Sequence, residues 1–86
     1  ETGAVVIRAT APDGTVPEGA EVGYVYLGQT RLLYAGKDGS RAFSDAPLGD
    51  LVIVARAPGY EEVRTRRPIL AGVPAEGRLV LHRTRD

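Results

Sequence analysis

The chain has 86 residues, enough for one domain with a small hydrophobic core. Lys plus Arg and Asp plus Glu are equal at 11 each, so no net charge is present to attract nucleic acid or an anionic membrane surface. Cysteine is absent, which excludes disulfides, thiol catalysis and cysteine-based metal centres. The longest uninterrupted apolar run, Leu51 to Ala55, is far shorter than the ~20 residues of a membrane-spanning helix, so no direct membrane insertion is expected.

The first three residues, Glu1-Thr2-Gly3, are typical of the scar left by a eukaryotic secretion vector. We therefore assign residues 1–3 to such a scar and residues 4–84 to the domain. This assignment predicts a piece of a longer secreted or cell-surface protein, with an extracellular location.

Apolar residues alternate with polar ones along the chain, and Gly, Pro or Asp stands at the breaks, which predicts β-strands joined by turns. Gly23, inside the second strand, predicts a bulge or the close approach of another backbone. Seven strands are predicted, at residues 4–11, 20–27, 30–35, 41–44, 51–57, 61–66 and 78–83, with a loop at 68–76. This pattern favours an all-β fold, a seven-stranded antiparallel β-sandwich.

Residues 38–60 read DGSRAFSDAPLGDLVIVARAPGY, and the order of a DG turn, an aromatic before Asp, a PxG turn and APGY carries a resemblance. It resembles the carboxypeptidase regulatory-like family, which has a transthyretin-like, or Ig-like, β-sandwich. The upstream Gly19-Ala20-x-Val22 is similar to the second strand of that family. The chain departs from the family pattern at Arg41, Ala46 and Leu51. The resemblance implies a non-catalytic accessory domain, because catalysis in the parent family resides in a separate zinc domain.

Alternation, aligned with the family pattern, predicts which side chains face the core. They are Val5, Ile7, Ala9, Val22, Tyr24, Phe43, Leu51, Ile53, Leu79 and Leu81. The opposite parity holds Val6, Val25, Leu27, Val52, Val54 and Val80. Apolar residues on an outer face are unusual in an antiparallel sheet. We therefore predict a protein-docking face formed by Val6, Val25, Val52 and Val54, with weak self-association as one outcome.

A misread register is the competing explanation for the outward valines. A strictly regular hairpin at Pro58-Gly59 pairs Val54 with Val63 and places both on one face. Val63 then belongs to the outer patch or, if the parity is inverted, to the core.

Few residues are available for catalysis or metal binding. His82 is the only histidine and is flanked by Arg83, which suits neither a catalytic triad nor a histidine-based metal site. Asp38, Asp45 and Asp50 are possible oxygen ligands for Ca²⁺, but their spacing fits no defined loop. For Asp38 and Asp45 we favour a role in turns. No enzymatic activity, metal or cofactor is expected.

Two surface clusters leave an alternative function open. Tyr24, Tyr26 and Tyr34 lie on neighbouring strands and could stack on a sugar ring, which would make the chain a carbohydrate-binding module. Tyrosine in a half-buried strand is the more ordinary interpretation. A basic cluster lies among Glu61 and Glu62, which favours cross-strand ion pairs over an anion-binding patch. Its members are Arg56, Arg64, Arg66 and Arg67.

The function predicted from the sequence is a non-catalytic extracellular module of a larger protein. It would act as a structural spacer or as a protein-docking domain. Its partners would be neighbouring domains of the same polypeptide or another surface protein.

Overall fold

The structure is a computed structural model that describes residues 2–84. Glu1 of the predicted scar, together with residues 85–86, lies outside this range. The seven strands are β1 (Thr2–Thr10), β2 (Glu21–Tyr26), β3 (Gln29–Tyr34), β4 (Ser40–Pro47), β5 (Gly49–Arg56), β6 (Val63–Ile69) and β7 (Ala75–Val80). The predicted loop at 68–76 is shorter in the structure, because β6 continues to Ile69 and β7 already begins at Ala75.

The strands form two sheets. The three-stranded sheet has the order β4-β1-β7, and the four-stranded sheet has the order β3-β2-β5-β6. No helix is present in residues 2–84, and the predicted all-β, seven-stranded sandwich is confirmed. The pairing is not antiparallel throughout, however, because β1 and β7 are parallel neighbours. Parallel neighbours need a long crossover connection, which β2 to β6 supply here.

The hydrophobic core lies between the two sheets. All ten side chains that alternation predicts to face inward are at most 6% exposed. Ala46 and Ile69, each 0% exposed, complete this layer from β4 and β6. The rings of Tyr24 and Phe43 meet edge to face, with centroids 5.4 Å apart and planes at 79°, a favourable aromatic geometry. The parity of the strands was therefore predicted correctly.

The parallel pairing places the two ends of the described chain at opposite ends of the sandwich. We call the end where β1 begins the N-terminal pole and the end where β7 finishes the C-terminal pole. Thr2 pairs with Pro47 at the first pole. At the second, the backbone N–H of Thr84 donates to the carbonyl of Gly59 at 3.0 Å. The long dimension of the domain is 42 Å, against 25 and 17 Å across it.

Gly23 allows an unusually close approach of β3 to β2. A Cβ atom at this position would overlap the backbone oxygen of Arg31 and would lie 2.9 Å from the Cα of Leu32. Only glycine leaves this space free. The close backbone approach predicted for Gly23 is therefore confirmed.

The hairpin between β2 and β3 turns on Leu27 and Gly28, whose φ angles are 51° and 78°. Two positive φ values define the type I′ turn that suits the twist of a hairpin. Leu27 is the sole non-glycine residue with positive φ between residues 2 and 84, and its side chain is 83% exposed. A bulky residue adopts this conformation at an energetic cost.

Candidate functional site

The four valines of the predicted docking face do not share one surface. Val6 lies on β1 and faces away from the core on the three-stranded sheet. Val25 and Val52 are direct cross-strand partners on the outer face of the four-stranded sheet. The two outer faces point in opposite directions, so the prediction of a single patch is wrong. Alternation gives the side of a strand but not the sheet to which that strand belongs.

Val54 faces outward by alternation but is 0% exposed. Its row across the four-stranded sheet runs through Leu32, Gly23, Val54 and Arg64. Gly23, beside Val54 in this row, has no side chain, and the backbone of β3 lies unusually close to it. The prediction that Val54 belongs to an exposed docking face is therefore wrong.

Val63 lies on the inner side of the four-stranded sheet and packs against the core. It pairs with Ala55 rather than with Val54, so the hairpin is not strictly regular. The Tyr60 N–H donates to the Ala57 carbonyl at 3.0 Å, closing a turn with Gly59 at φ 82°. The chain then leaves β5, and Tyr60 forms a bridge with Arg83 instead. This detour shifts the register by one residue.

The three tyrosines predicted as a sugar platform are separated. Tyr24 is 6% exposed and lies in the core. Tyr26 points to the same side of the sheet as Tyr24, but it lies at the end of its strand and is 48% exposed. Tyr34 pairs with Glu21, points to the opposite side of the sheet and is 68% exposed. Tyr24 is therefore inaccessible, and Tyr26 and Tyr34 belong to opposite sides of the sheet. The arrangement offers no coplanar stacking surface for a sugar ring made from these three residues.

Arg31 connects the two sheets where their edge strands β3 and β4 lie side by side, a contact that no sequence pattern predicted. Its Nη1 donates to the Tyr24 hydroxyl at 3.0 Å and to Oδ2 of Asp45 at 2.8 Å. The guanidinium carbon also lies 5.9 Å from the ring centroid of Tyr24 and 5.7 Å from that of Phe43, within range of a cation–π interaction. The cluster ties β3 of one sheet to β4 of the other and satisfies the buried tyrosine.

A bulge in β4 aims Asp45 at this cluster. Ala46 pairs with Gly3 and Phe43 with Val5, so two residues of β4 face one of β1. Bulges of this kind redirect side chains. The interpretation of Asp45 as a turn residue is wrong, because its carboxylate accepts a hydrogen bond from Arg31. The Arg31 guanidinium holds the pKa of the Asp45 carboxyl below its ordinary value.

Asp38 does stabilise a turn, as predicted. Its Oδ1 accepts hydrogen bonds from the Ser40 N–H at 3.0 Å and from the Ser40 hydroxyl at 2.8 Å. Asp13 makes the same pair of bonds to Thr15, at 3.1 and 2.6 Å, in the related sequence Asp-Gly-Thr. These bonds lower the pKa values of both carboxyl groups. In residues 2–84 no three His, Cys, Asp or Glu side chains converge on a possible metal site.

The basic cluster is divided between the two sides of its sheet. Arg56 Nε lies 3.2 Å from Oε1 of Glu21 on the neighbouring strand, and Arg64 Nε lies 2.7 Å from Oε2 of Glu62, two residues away. Only the first is a cross-strand pair, and its partner is not one of the acids predicted. Arg66 and Arg67 point to opposite sides, since they are successive residues of β6. Exposed pairs of this kind contribute about 0–1 kcal/mol each.

His82 lies just beyond β7 rather than within the last strand, and its side chain is exposed. Its carbonyl accepts a hydrogen bond from the Glu61 N–H at 2.8 Å, which attaches the segment after β7 to the turn after β5. Arg83 stacks on this turn, with its guanidinium carbon 5.4 Å from the Tyr60 ring centroid. The histidine therefore belongs to a structural attachment at the C-terminal pole.

Exposed apolar side chains are concentrated at the N-terminal pole. This group, which we call the apolar pole, consists of Tyr26, Leu27, Leu48, Leu70 and Val73. The strand register brings them together, because the β2–β3 turn, the β4–β5 turn and the segment after β6 all lie at this end. Leu48 and Leu70 also flank Gly3, where a Cβ atom would lie 3.1 Å from Leu48 Cδ2. These positions lie in turns far apart along the chain, and no sequence pattern groups them.

The fold and these surfaces define a small β-sandwich domain whose described ends lie at opposite poles. Among solved structures it is similar to the Bacillus anthracis TIE protein, with a TM-score of 0.76 and 17% sequence identity. The match covers 95% of this chain and 16% of that one, and at this identity it shows the fold alone. No family model and no curated protein matches, so membership of the carboxypeptidase regulatory-like family is not confirmed. No helix of residues 2–84 is long and apolar enough to cross a membrane.

Proposed function

We propose that the chain is a non-catalytic spacer module of a larger extracellular or cell-surface protein. The observation that carries this proposal is the parallel pairing of β1 and β7, which places the two described ends at opposite poles. A module of this form separates its neighbours along its long axis. The similar fold in the Bacillus anthracis TIE protein accounts for only 16% of that chain, which supports a place within a longer polypeptide.

The physical basis is the length of the first strand. At about 3.3 Å per residue, the nine residues of β1 carry the chain roughly 30 Å along the sandwich. If β7 were antiparallel to β1, both ends would lie at one pole, and the module would not separate the domains on either side of it. The parallel pair instead adds the module's length to that of the whole protein.

The spacer role is testable with tandem copies joined directly, the end of one to the start of the next. We expect the maximum dimension measured by small-angle X-ray scattering to increase with each copy by an amount comparable to the 42 Å long dimension. Copies of one, two and three modules give the slope. A dimension that hardly increases from two copies to three would show that the modules fold back on one another and would refute the spacer role.

The apolar pole supports docking as a second role for the same module. Five large apolar side chains, between 40 and 83% exposed, lie at the end where the chain enters. Leu27 is held there in a strained turn. We infer that a contact made by its side chain, rather than the stability of the module, favours leucine at this position. The occupant we propose is the neighbouring domain of the same polypeptide on the N-terminal side, because the chain itself brings that domain to this pole.

Docking at the apolar pole predicts protection from hydrogen exchange in a longer fragment of the parent protein. Backbone amides of residues 48–49 and 70–73 should exchange more slowly in a fragment with the preceding domain than in the module alone. Leu70→Lys should remove this protection and leave the melting temperature of the isolated module unchanged, because Leu70 is 57% exposed. Tyr34→Lys, also at an exposed position, is the control. Equal exchange with and without the preceding domain would contradict docking.

A further inference from the structure

We propose that β1 and β7 form a mechanical clamp, so that the module resists a pulling force applied through its two ends. This inference rests on the proposed function only in that it assumes neighbours at both ends. A spacer in a surface protein transmits any tension between those neighbours. The strand geometry determines whether the module opens gradually or resists as a unit.

The load path follows from the pairing of β1 and β7. Tension pulls β1 toward the N-terminal pole and β7 toward the C-terminal pole. Because the strands are parallel, this load slides one strand along the other instead of separating them from one end. Six residue pairs, from Val5–Ala75 to Thr10–Val80, oppose the sliding together. Evenly spaced hydrogen bonds of a parallel ladder then share the load.

Backbone orientation shows which groups bear this load. The Ala9 N–H donates to the Gly39 carbonyl on the β4 side at 2.8 Å, whereas the Thr10 carbonyl accepts from the Leu81 N–H on the β7 side at 2.8 Å. Backbone groups of successive residues point to opposite sides of a strand, so Val6 and Arg8 face β7 as Thr10 does. β1 is also the central strand of its sheet, and its removal breaks the pairing with β4 as well.

The segment after β7 forms a weaker attachment between the clamp and the C-terminal point of pulling. Thr84 bonds to Gly59 at 3.0 Å, and Arg83 forms an isolated bridge with Tyr60. These contacts lie beyond the last residue of β7, so tension reaches them first and peels them from the end. The principal resistance therefore starts at Leu81, which is 0% exposed and anchored in the core.

Single-molecule force spectroscopy tests the clamp with two pulling geometries on one fold. The module is placed between marker domains and stretched through its N and C termini. For comparison, it is stretched through its N terminus and a cysteine introduced by Leu48→Cys, which is unique because the chain has no cysteine. Thr2 and Pro47 are paired, so this second geometry separates β1 from β4 one pair at a time. We expect a several-fold higher unfolding force in the end-to-end geometry.

A stability control separates mechanical resistance from global stability. Val22→Ala removes buried volume in the other sheet and should lower the melting temperature, with little change in the end-to-end force. Forced unfolding reports the barrier along the pulled coordinate rather than the free energy of unfolding. Equal forces in the two geometries, or an end-to-end force that falls with melting temperature in Val22→Ala, would overturn the clamp. Neither result depends on the scattering measurement, so the spacer role is judged separately.

Discussion

Val54→Lys is expected to destabilise the domain by ~3–5 kcal/mol, the range for a buried charge left without a partner. The Val54 side chain is 0% exposed, and the neighbour beside it on β6 is Arg64, which repels a second cation. A domain of this size has a total stability of roughly 5–13 kcal/mol, so the loss is a large fraction. Chemical denaturation monitored by circular dichroism measures the change.

Two variants of neighbouring residues show whether burial is the cause. Val52→Lys changes a half-buried residue on the same face and should cost about 1 kcal/mol or less, because the lysine stem can lie along the surface. Ile53→Ala opens a cavity in the main core and should cost ~2–5 kcal/mol. A Val54→Lys variant as stable as Val52→Lys would contradict the burial of Val54.

The sequence predicts the core well, because burial between two sheets imposes a period of two on each strand. The predicted inward residues, from Val5 in β1 to Leu81 after β7, are all buried. The same rule assigns Val54 to the exterior. Alternation gives the side of a strand on which a residue lies, but it does not show what packs against that side. Gly23 pairs with Leu32 on one side and with Val54 on the other, and that it lies beside Val54 is known only once the register is known.

Sequence patterns do not predict the contacts between strands that are distant along the chain. The bond from Arg31 to Asp45 joins edge strands of different sheets, and no spacing rule relates residues placed in this way. The parallel pairing of β1 with β7 is equally non-local, because both strands have the same composition whichever direction they run. The pairing of Val54 with Val63 expected from a regular hairpin at Pro58-Gly59 is wrong, because Tyr60 pairs with Arg83 instead. A hairpin rule considers only residues close in sequence and does not include this distant partner.

Gly23→Ala is expected to cost more than ~3 kcal/mol, above the ~1–3 kcal/mol typical of overpacking in a core. The added methyl group would overlap the backbone oxygen of Arg31, and a backbone group cannot rotate away as a side chain can. The strand β3 would have to move from β2, which would also disturb the contact of Arg31 with Asp45. Thermal and chemical denaturation give the loss, and a change in the NMR chemical shifts of the Tyr24 ring would report the displaced guanidinium.

Gly77→Ala is the matched control, since Gly77 is a buried glycine within a strand of the other sheet. Its added methyl group would overlap Cδ1 of Ile53, the far end of a flexible side chain. Ile53 can change rotamer, so this variant should stay within the ~1–3 kcal/mol of ordinary overpacking. If Gly23→Ala is no less stable than Gly77→Ala, β3 does not press against Gly23.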